Sequence, residues 1–361
     1  MADYLFLPYL AHGHVNPMLA VAAELVRRGE EVGFAVSGEF AGQVAAVGAR
    51  VVPVPGHDVR VPAGRGAAEM AERAGLLAAR WHGWAVAARV VRRHLAAYRP
   101  DVVLADVRMP WAGPLVRRAG VPLVSMCTTH AGVVRRRGLM LVNAPRELQP
   151  PLARSREALF VAPLVRPAEP EAALDPLGWA GERRPTLLVA PGTVFARSEA
   201  FFRRVIEEFA GTEWSVLMAT GQTPMRVLGP LPPNFLARPW LPQRRLLRHT
   251  TVLFGHGGMN SVQEALLAAV PMIVAPCSRE QARTARRLVR LGLAARAGTD
   301  LLRRAERVAA DERMRAARLA MRERLLAAPG AALAADVLGR IAAGGNVESV
   351  TSRDREPIWS H

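Results

Sequence analysis

The sequence predicts two tandem α/β domains, each built on a doubly wound parallel sheet. Three observations predict this. The N-terminal half alternates short apolar runs with longer amphipathic ones. Residues 163–185 then hold five prolines and little periodicity, the mark of a linker. After it the same alternation restarts. A chain of 361 residues suits two domains, and its 50% hydrophobic content lets each bury a core. The expected division is a first domain over 1–165, a linker over 166–185, a second domain over 186–343 and a polar tail over 344–361.

The elements follow in order. YLFLPY (4–9) reads as a strand. Asn16-Pro17 reads as an N-cap with proline at the first helical position, and the helix MLAVAAELVRR stops at Gly29. EVGFAV is the next strand, GEFAGQVAAVG a helix and RVVPV a third strand. VVLAD (102–106) and PLVSM (122–126) are two more, bracketing a helix near 110–119. Beyond the linker come TLLVA, a helix near 198–210, WSVLMA and VLF. A helix after Gly258, the strand MIVA and a helix near 280–291 stopped by Gly292 complete the pattern. Continuous apolar strands between helices indicate sheets covered on both faces. Ligands of such sheets bind beyond the carboxyl ends of the strands.

Composition narrows the function. The net charge is +17, all 48 basic residues are arginine, and they are spread through amphipathic stretches such as RRAERVAADERMRAARLAMRERL. A nucleic-acid footprint needs those charges gathered on one face, so no nucleic-acid partner is expected. Arg135-Arg136-Arg137 is a dense basic run, read as a solvated loop. Cys127 and Cys277 lie far apart without metal-ligand spacing and read as two buried thiols in a reducing compartment. The first ten residues carry an aspartate and no basic segment, and no apolar run reaches the ~18 residues of a membrane span. A cytoplasmic protein without a membrane span is expected.

The stretch HGGMNSVQEALLAAVPMIVAPCSREQ (256–281) carries the chemistry of the second domain. VLF is the strand, GHGG the turn and MNSVQEALLAA the helix. Glycines let backbone approach a ligand closely, and the free N–H groups of a new helix favour an anion. His256, Asn260 and Ser261 add side-chain donors, which makes a phosphate site. Trp240, sixteen residues earlier in WLPQ, can stack on a base, with Gln243 reaching ribose or base. Alternatively Trp240 is a core aromatic and Gln243 caps a short helix. Glu264 lies one helical turn past Asn260 and can accept from ribose hydroxyls. Glu280 and Gln281 would suit sugar hydroxyls. Base, ribose, diphosphate and sugar thus find partners in strand order, a nucleotide-sugar site.

These motifs closely resemble the donor-binding signature of glycosyltransferase family 1, the UDP-glycosyltransferase superfamily, and within it the actinobacterial macrolide and natural-product type. PTLLVAPGTVF, LGPLPPNF, RPWLPQRRLL, HGGMNS, EALLAAVPMIV, the Glu-Gln pair and RRLVRLGLAAR fall in the family's order, so the resemblance covers nearly the whole chain. It implies a GT-B fold, two Rossmann-like domains facing across a cleft. It also implies a UDP- or dTDP-sugar donor, no metal or other cofactor, and inversion at the anomeric carbon. By that resemblance Gly192 and Thr193 touch the phosphate region, and Trp240 and Gln243 contact the nucleoside. His256, Gly258, Asn260 and Ser261 hold the diphosphate, Glu264 holds ribose, and Glu280 and Gln281 hold the sugar. The family's glycine is replaced at Ala269, tolerable where φ is negative.

In the first domain, LAHGHVNPMLA (10–20) sits at a strand-to-helix turn. The resemblance assigns the catalytic base to His14, with His12 structural, and pairs it with Asp106 at the end of VVLAD. A carboxylate on one ring nitrogen fixes the tautomer and raises the basicity of the other. A helix cap is the alternative for Asp106. Asp101 opens its strand and should lie at the far edge. Trp81, Trp84, Met109 and Trp111 are candidate walls for a small-molecule aglycone; at helical spacing, Trp81 and Trp84 serve equally as packing. The segment from Ser125 to Phe160 is shorter than in macrolide-type members, which predicts an open acceptor pocket, or one covered by the partner of a homodimer. The expected activity is transfer of a sugar to a hydroxyl, or an amine, of a natural product. The alternatives are a lipid-linked glycosyltransferase of envelope synthesis, whose glycine-rich GGTGGH-like first turn is AHGHVNP here, and a silent GT-B nucleotide-binding or activator protein.

Overall fold

The computed structural model describes residues 1–56, 59–62, 67–130, 138–165 and 184–345. Arg135-Arg136-Arg137, nearly all of the expected linker and nearly all of the polar tail lie outside the described residues. The chain divides into two compact units: Met1–Val59, Ala74–Arg166 and Ala328–His361 form one, and Arg60–Arg73 with Pro167–Ala327 form the other.

Unit 1 begins with β1 (Asp3–Leu7), α1 (His12–Arg27), β2 (Glu31–Val36), α2 (Gly38–Ala46) and β3 (Arg50–Pro53). α3 (Ala67–Tyr98), which belongs to this unit from Ala74 onward, although the sequence placed all of 60–73 in the first domain, leads to β4 (Val102–Asp106), α4 (Ala112–Arg118) and β5 (Leu123–Cys127). Two short strands, β6 (Met140–Val142) and β7 (Ala158–Phe160), with α5 (Pro150–Ala153) between them, complete the run. The seven strands lie in the order β3-β2-β1-β4-β5-β6-β7, every neighbouring pair parallel. The order reverses between β1 and β4, so the chain diverges there and opens a crevice at the carboxyl ends of those two strands. All five residues of β4 are buried, as expected of a strand covered on both faces.

One local expectation is corrected. α1 starts at His12 after an extended Ala11, one and a half turns before the Asn16-Pro17 cap the sequence suggested, and Pro17 lies inside the helix. As the sixth helical residue Pro17 gives up one bond, that to the Gly13 carbonyl, and the helix continues through it. The 32-residue α3 was not expected; its apolar face is short, with Trp84, Ala87, Val91 and Leu95 buried and most of its first half exposed. Within the Ser125–Phe160 segment, β6 and β7 extend the sheet beyond β5.

Unit 2 holds β8 (Thr186–Ala190), α6 (Glu199–Phe209), β9 (Ser215–Ala219), β10 (Phe235–Arg238), α7 (Gln243–Leu246) and β11 (Val252–Gly255). α8 (Met259–Leu267), β12 (Met272–Val274), α9 (Arg279–Arg290), β13 (Ala294–Arg296), α10 (Leu301–Ala310) and α11 (Glu312–Ala327) follow. Its six strands run β10-β9-β8-β11-β12-β13, all parallel, with the switch between β8 and β11. Phe202, Phe209, Trp214, Val216 and Phe254 anchor its core. Ala269, just past α8, has φ 55, so the alanine occupies the left-handed region instead of the negative φ that would make it comfortable. Cys277 is partly exposed, not buried as read, since it stands in the turn beyond the carboxyl end of β12; Cys127 is buried.

The last helix, α12 (Ala331–Ala342), belongs to unit 1, although the sequence placed it with the second domain. Its Ala334, Val337, Leu338 and Ile341 enter the core of Tyr4, Phe6 and Leu19. Arg28 at the end of α1 holds Asp336 and the Ala332 carbonyl. The turn into α12 needs Gly330: its φ is 54, and a Cβ there would stand 2.9 Å from the Pro163 carbonyl oxygen. Glu312–Ala342 is long and apolar enough to cross a membrane by composition alone. It is two helices parted at this turn, and the apolar face of the second lies in a protein core.

Candidate functional site

The unit 1 residues gather at its switch point. α1 leaves the carboxyl end of β1, which puts His14 in its first turn; Asp106 is the last residue of the adjacent β4. The two meet with His14 Nδ1 2.8 Å from Asp106 Oδ2, and the carboxylate is fully buried. Its other oxygen accepts the Arg108 N–H at 2.8 Å. Thr128, just past β5, was not foreseen: its Oγ1 lies 2.8 Å from His14 Nδ1 and 3.5 Å from Asp106 Oδ2.

This triangle fixes the tautomer. An ionised carboxylate only accepts, so the proton between Nδ1 and Oδ2 belongs to Nδ1. Thr128 then directs its own proton at Asp106, and the Nε2 of a neutral His14 carries the lone pair. Tyr9 meets the imidazole edge-on at 5.0 Å, and the Arg108 guanidinium covers the Tyr9 ring at 5.0 Å. Asp106 does not cap α4, which begins at Ala112. Asp101 lies at the opposite end of β4, where its Oδ2 accepts the Asp3 N–H at 2.8 Å. His12 turns to α2, with Nε2 3.7 Å from Glu39 and its ring 5.1 Å from Phe40.

The four wall candidates separate. Buried Met109 and partly exposed Trp111 line a small apolar pocket with Leu7, Leu10, Val54 and Ala87, roomy enough for little more than a water molecule. Trp81 and Trp84 do not line it. They pair edge-to-face at 5.1 Å on α3, Trp84 buried and Trp81 61% exposed.

In unit 2 the residues group around the β8/β11 switch point. His256 follows β11 and inserts its ring between two glycines. A Cβ on Gly192 would stand 2.8 Å from the ring, and one on Gly258 only 2.2 Å from Nε2. Gly192 has φ 91, so both the conformation and the contact exclude a side chain. His256 Nδ1 faces the Ala190 carbonyl at 3.4 Å. Burial, with a smaller contribution from the Arg197 cation, lowers its pKa to about 4, so the ring is neutral near pH 7. Gly258 caps α8 without a side-chain bond, and Asn260 and Ser261 occupy the first turn, where amide N–H groups lack intrahelical partners.

Gln243, Ser261 and Glu264 come together. Gln243 Nε2 donates to Glu264 Oε2 at 2.6 Å, and Ser261 Oγ donates to Gln243 Oε1 at 3.5 Å. Trp240 is 64% exposed, which rules out the core-aromatic alternative. Thr193 is exposed, and its carbonyl accepts from Gln222 Nε2 at 2.6 Å. Glu280 and Gln281 open α9, whose cap Ser278 accepts the Gln281 N–H at 3.2 Å. Gln281 Oε1 accepts the Cys277 N–H at 2.7 Å, so its oxygen serves the turn. Among the described residues no three His, Cys, Asp or Glu side chains come together as a metal site.

Comparison with known proteins follows the same lines. The family model described as UDP-glucoronosyl and UDP-glucosyl transferase matches residues 211–312, the segment from β9 through α10. The oleandomycin glycosyltransferase of Streptomyces antibioticus is 30% identical over 363 residues, 83% of this chain and 81% of that one. The NDP-glycosyltransferase YjiC of Bacillus licheniformis is 28% identical over 78% of this chain and 82% of its own. Among solved structures, CalG4, the calicheamicin glycosyltransferase, superposes with a TM-score of 0.74 at 27% identity, covering 95% of this chain and 99% of its own. Two parallel-sheet units with these switch points, and similarity of this extent, place the chain in the UDP-glucoronosyl and UDP-glucosyl transferase family, as a glycosyltransferase of the GT-B fold.

Proposed function

We propose that this glycosyltransferase moves a sugar from a UDP- or dTDP-sugar to a hydroxyl, or an amine, of a small-molecule natural product, with inversion and without a metal ion. The observation that carries the reading is the His14–Asp106–Thr128 triangle, which leaves a basic Nε2 at the unit 1 switch point. That nitrogen takes the proton of the acceptor hydroxyl as its oxygen attacks the anomeric carbon. The bond from that carbon to the diphosphate oxygen breaks, and the nucleoside diphosphate leaves. One displacement inverts the centre. Asp106 stabilises the imidazolium that forms.

The donor groups are those of unit 2. Trp240 offers an exposed indole for the base, Gln243 and Glu264 polar atoms for the nucleoside, the α8 N-terminus with His256, Asn260 and Ser261 a place for the diphosphate, and Glu280 with Gln281 partners for the sugar. The acceptor class is supported by relatives whose names include oleandomycin glycosyltransferase and demethyllactenocin mycarosyltransferase. A homodimer is one way to cover the acceptor.

The test is turnover of UDP- and dTDP-sugars against an acceptor panel, read by mass shift, with product configuration from the anomeric proton coupling. His14→Ala is expected to cut transfer by ~10²–10⁴-fold while nucleotide affinity stays within about 3-fold. Activity should survive EDTA. Retained configuration, a strict metal requirement, or equal loss of nucleotide binding in His14→Ala would each overturn the corresponding part.

A further inference from the structure

Arg197 lies in the loop between β8 and α6, and none of the motifs read from the sequence accounts for it. Its Nη2 donates to the carbonyl of Ala275, the residue just after β12. In the sheet β11 lies between β8 and β12. A side chain that leaves the β8 loop and reaches the end of β12 therefore crosses the end of β11, where Gly255-His256-Gly257-Gly258 turns into α8. The Arg197 charge also bears on the His256 ring, which sets the guanidinium beside the turn at which the donor's diphosphate is placed above.

Among the described residues the charge at this point has no acidic partner. No carboxylate forms a hydrogen bond or ion pair with Arg197 among the described residues, and its Nε is buried without a partner. Its other neighbours are the Phe201 ring, 4.6 Å away, the backbone of its own loop, where Thr223 Oγ1 donates to the Arg197 carbonyl at 3.0 Å, and the Cys277 thiol, which burial holds in its neutral form. Burial pushes its pKa down from the usual arginine value, yet a guanidinium stays protonated at neutral pH. A half-buried cation without a counter-ion is costly, and such a group sitting at a ligand crevice is a functional signal. The neighbouring His256 is neutral and supplies hydrogen bonding but no charge.

We propose that Arg197 binds the distal phosphate of the donor's nucleoside diphosphate and supplies the positive charge on which that leaving group departs. The inference rests on the reading of unit 2 as a nucleotide-sugar site. The nucleoside monophosphate lacks the distal phosphate, so the diphosphate-to-monophosphate affinity ratio reports Arg197 directly.

The experiment is calorimetric titration of the full chain with UDP, UMP, dTDP and dTMP, for the wild type, Arg197→Met and Arg197→Lys, with thermal melts as a control. The wild type is expected to prefer diphosphates. Arg197→Met should lose about 10- to 100-fold for the diphosphate, the range of a charge-assisted hydrogen bond, with monophosphate affinity within about 3-fold. Arg197→Lys should fall between, since it keeps the charge but not the fork that also holds Ala275. Equal weakening toward both nucleotides, or no change, makes Arg197 a structural strap and overturns the proposal. If Arg197→Met does not fold, Arg197→Lys carries the test: an unchanged diphosphate-to-monophosphate ratio counts against it. A wild type that binds all four nucleotides without preferring diphosphates sinks this inference alone. One that binds none sinks the donor reading with it.

Discussion

At the scale of single residues the instructive one is Thr128. It stands 114 positions from His14, yet its hydroxyl oxygen is as near to Nδ1 as the Asp106 carboxylate is. Hydrogen bonds from a second group restrict both the tautomer and the ring's swing. Thr128→Val keeps the shape of the side chain and removes the hydroxyl, leaving the buried carboxylate with one donor fewer. Transfer is expected to fall by roughly 5- to 30-fold, the equivalent of about one to two kcal/mol for a hydrogen bond to a charged group. UDP affinity should stay level. Unchanged kcat/KM, or an equal loss of UDP affinity, would make Thr128 a packing residue only.

At the scale of elements α8 is held by opposite demands at its two ends. Its N-terminus requires glycine, because a Cβ on Gly258 would run into the His256 ring. Just past its C-terminus stands Ala269 at φ 55, where an L side chain is strained by about 1–2 kcal/mol. Two substitutions should therefore act with opposite signs. Gly258→Ala is expected to destabilise by roughly 1–3 kcal/mol and to weaken UDP binding as the ring is displaced. Ala269→Gly is expected to stabilise by about 0.5–1 kcal/mol, relief of strain exceeding the entropy a glycine gives the unfolded chain. Urea titration of both variants measures the pair. A destabilised Ala269→Gly would contradict the left-handed assignment.

At the scale of the molecule the chain closes on its first unit. α12 inserts Val337, Leu338 and Ile341 into the core that also holds Tyr4 and Phe6, so unit 1 is complete only once the C-terminal segment is in place. Leu338 is fully buried. Leu338→Ala is expected to cost about 2–5 kcal/mol, felt first in unit 1. Hydrogen exchange resolved by peptide should show faster exchange in β1 and α1, with β8 and β11 unchanged. Uniform acceleration in both units would mean that they unfold as one body.

What the sequence by itself determined is the alternation of strand and helix, the tandem repetition of that alternation, and the turns at which its glycines and histidines fall. Those signals are local. A doubly covered parallel strand is a continuous apolar run, and a turn that approaches a ligand needs glycine, so Asp106, His14, His256 and Gly258 were legible beside their strand ends. Tertiary structure alone decided which strand neighbours which, and hence everything that depends on distance along the chain. An amphipathic helix such as α12 states that it needs a core but not whose. The start of α1 at His12, the φ of Ala269, the approach of Thr128 to His14 and the reach of Arg197 across β11 are set by sheet order and by contacts between residues tens of positions apart. No local pattern encodes those, because their energies exist only once the strands have paired.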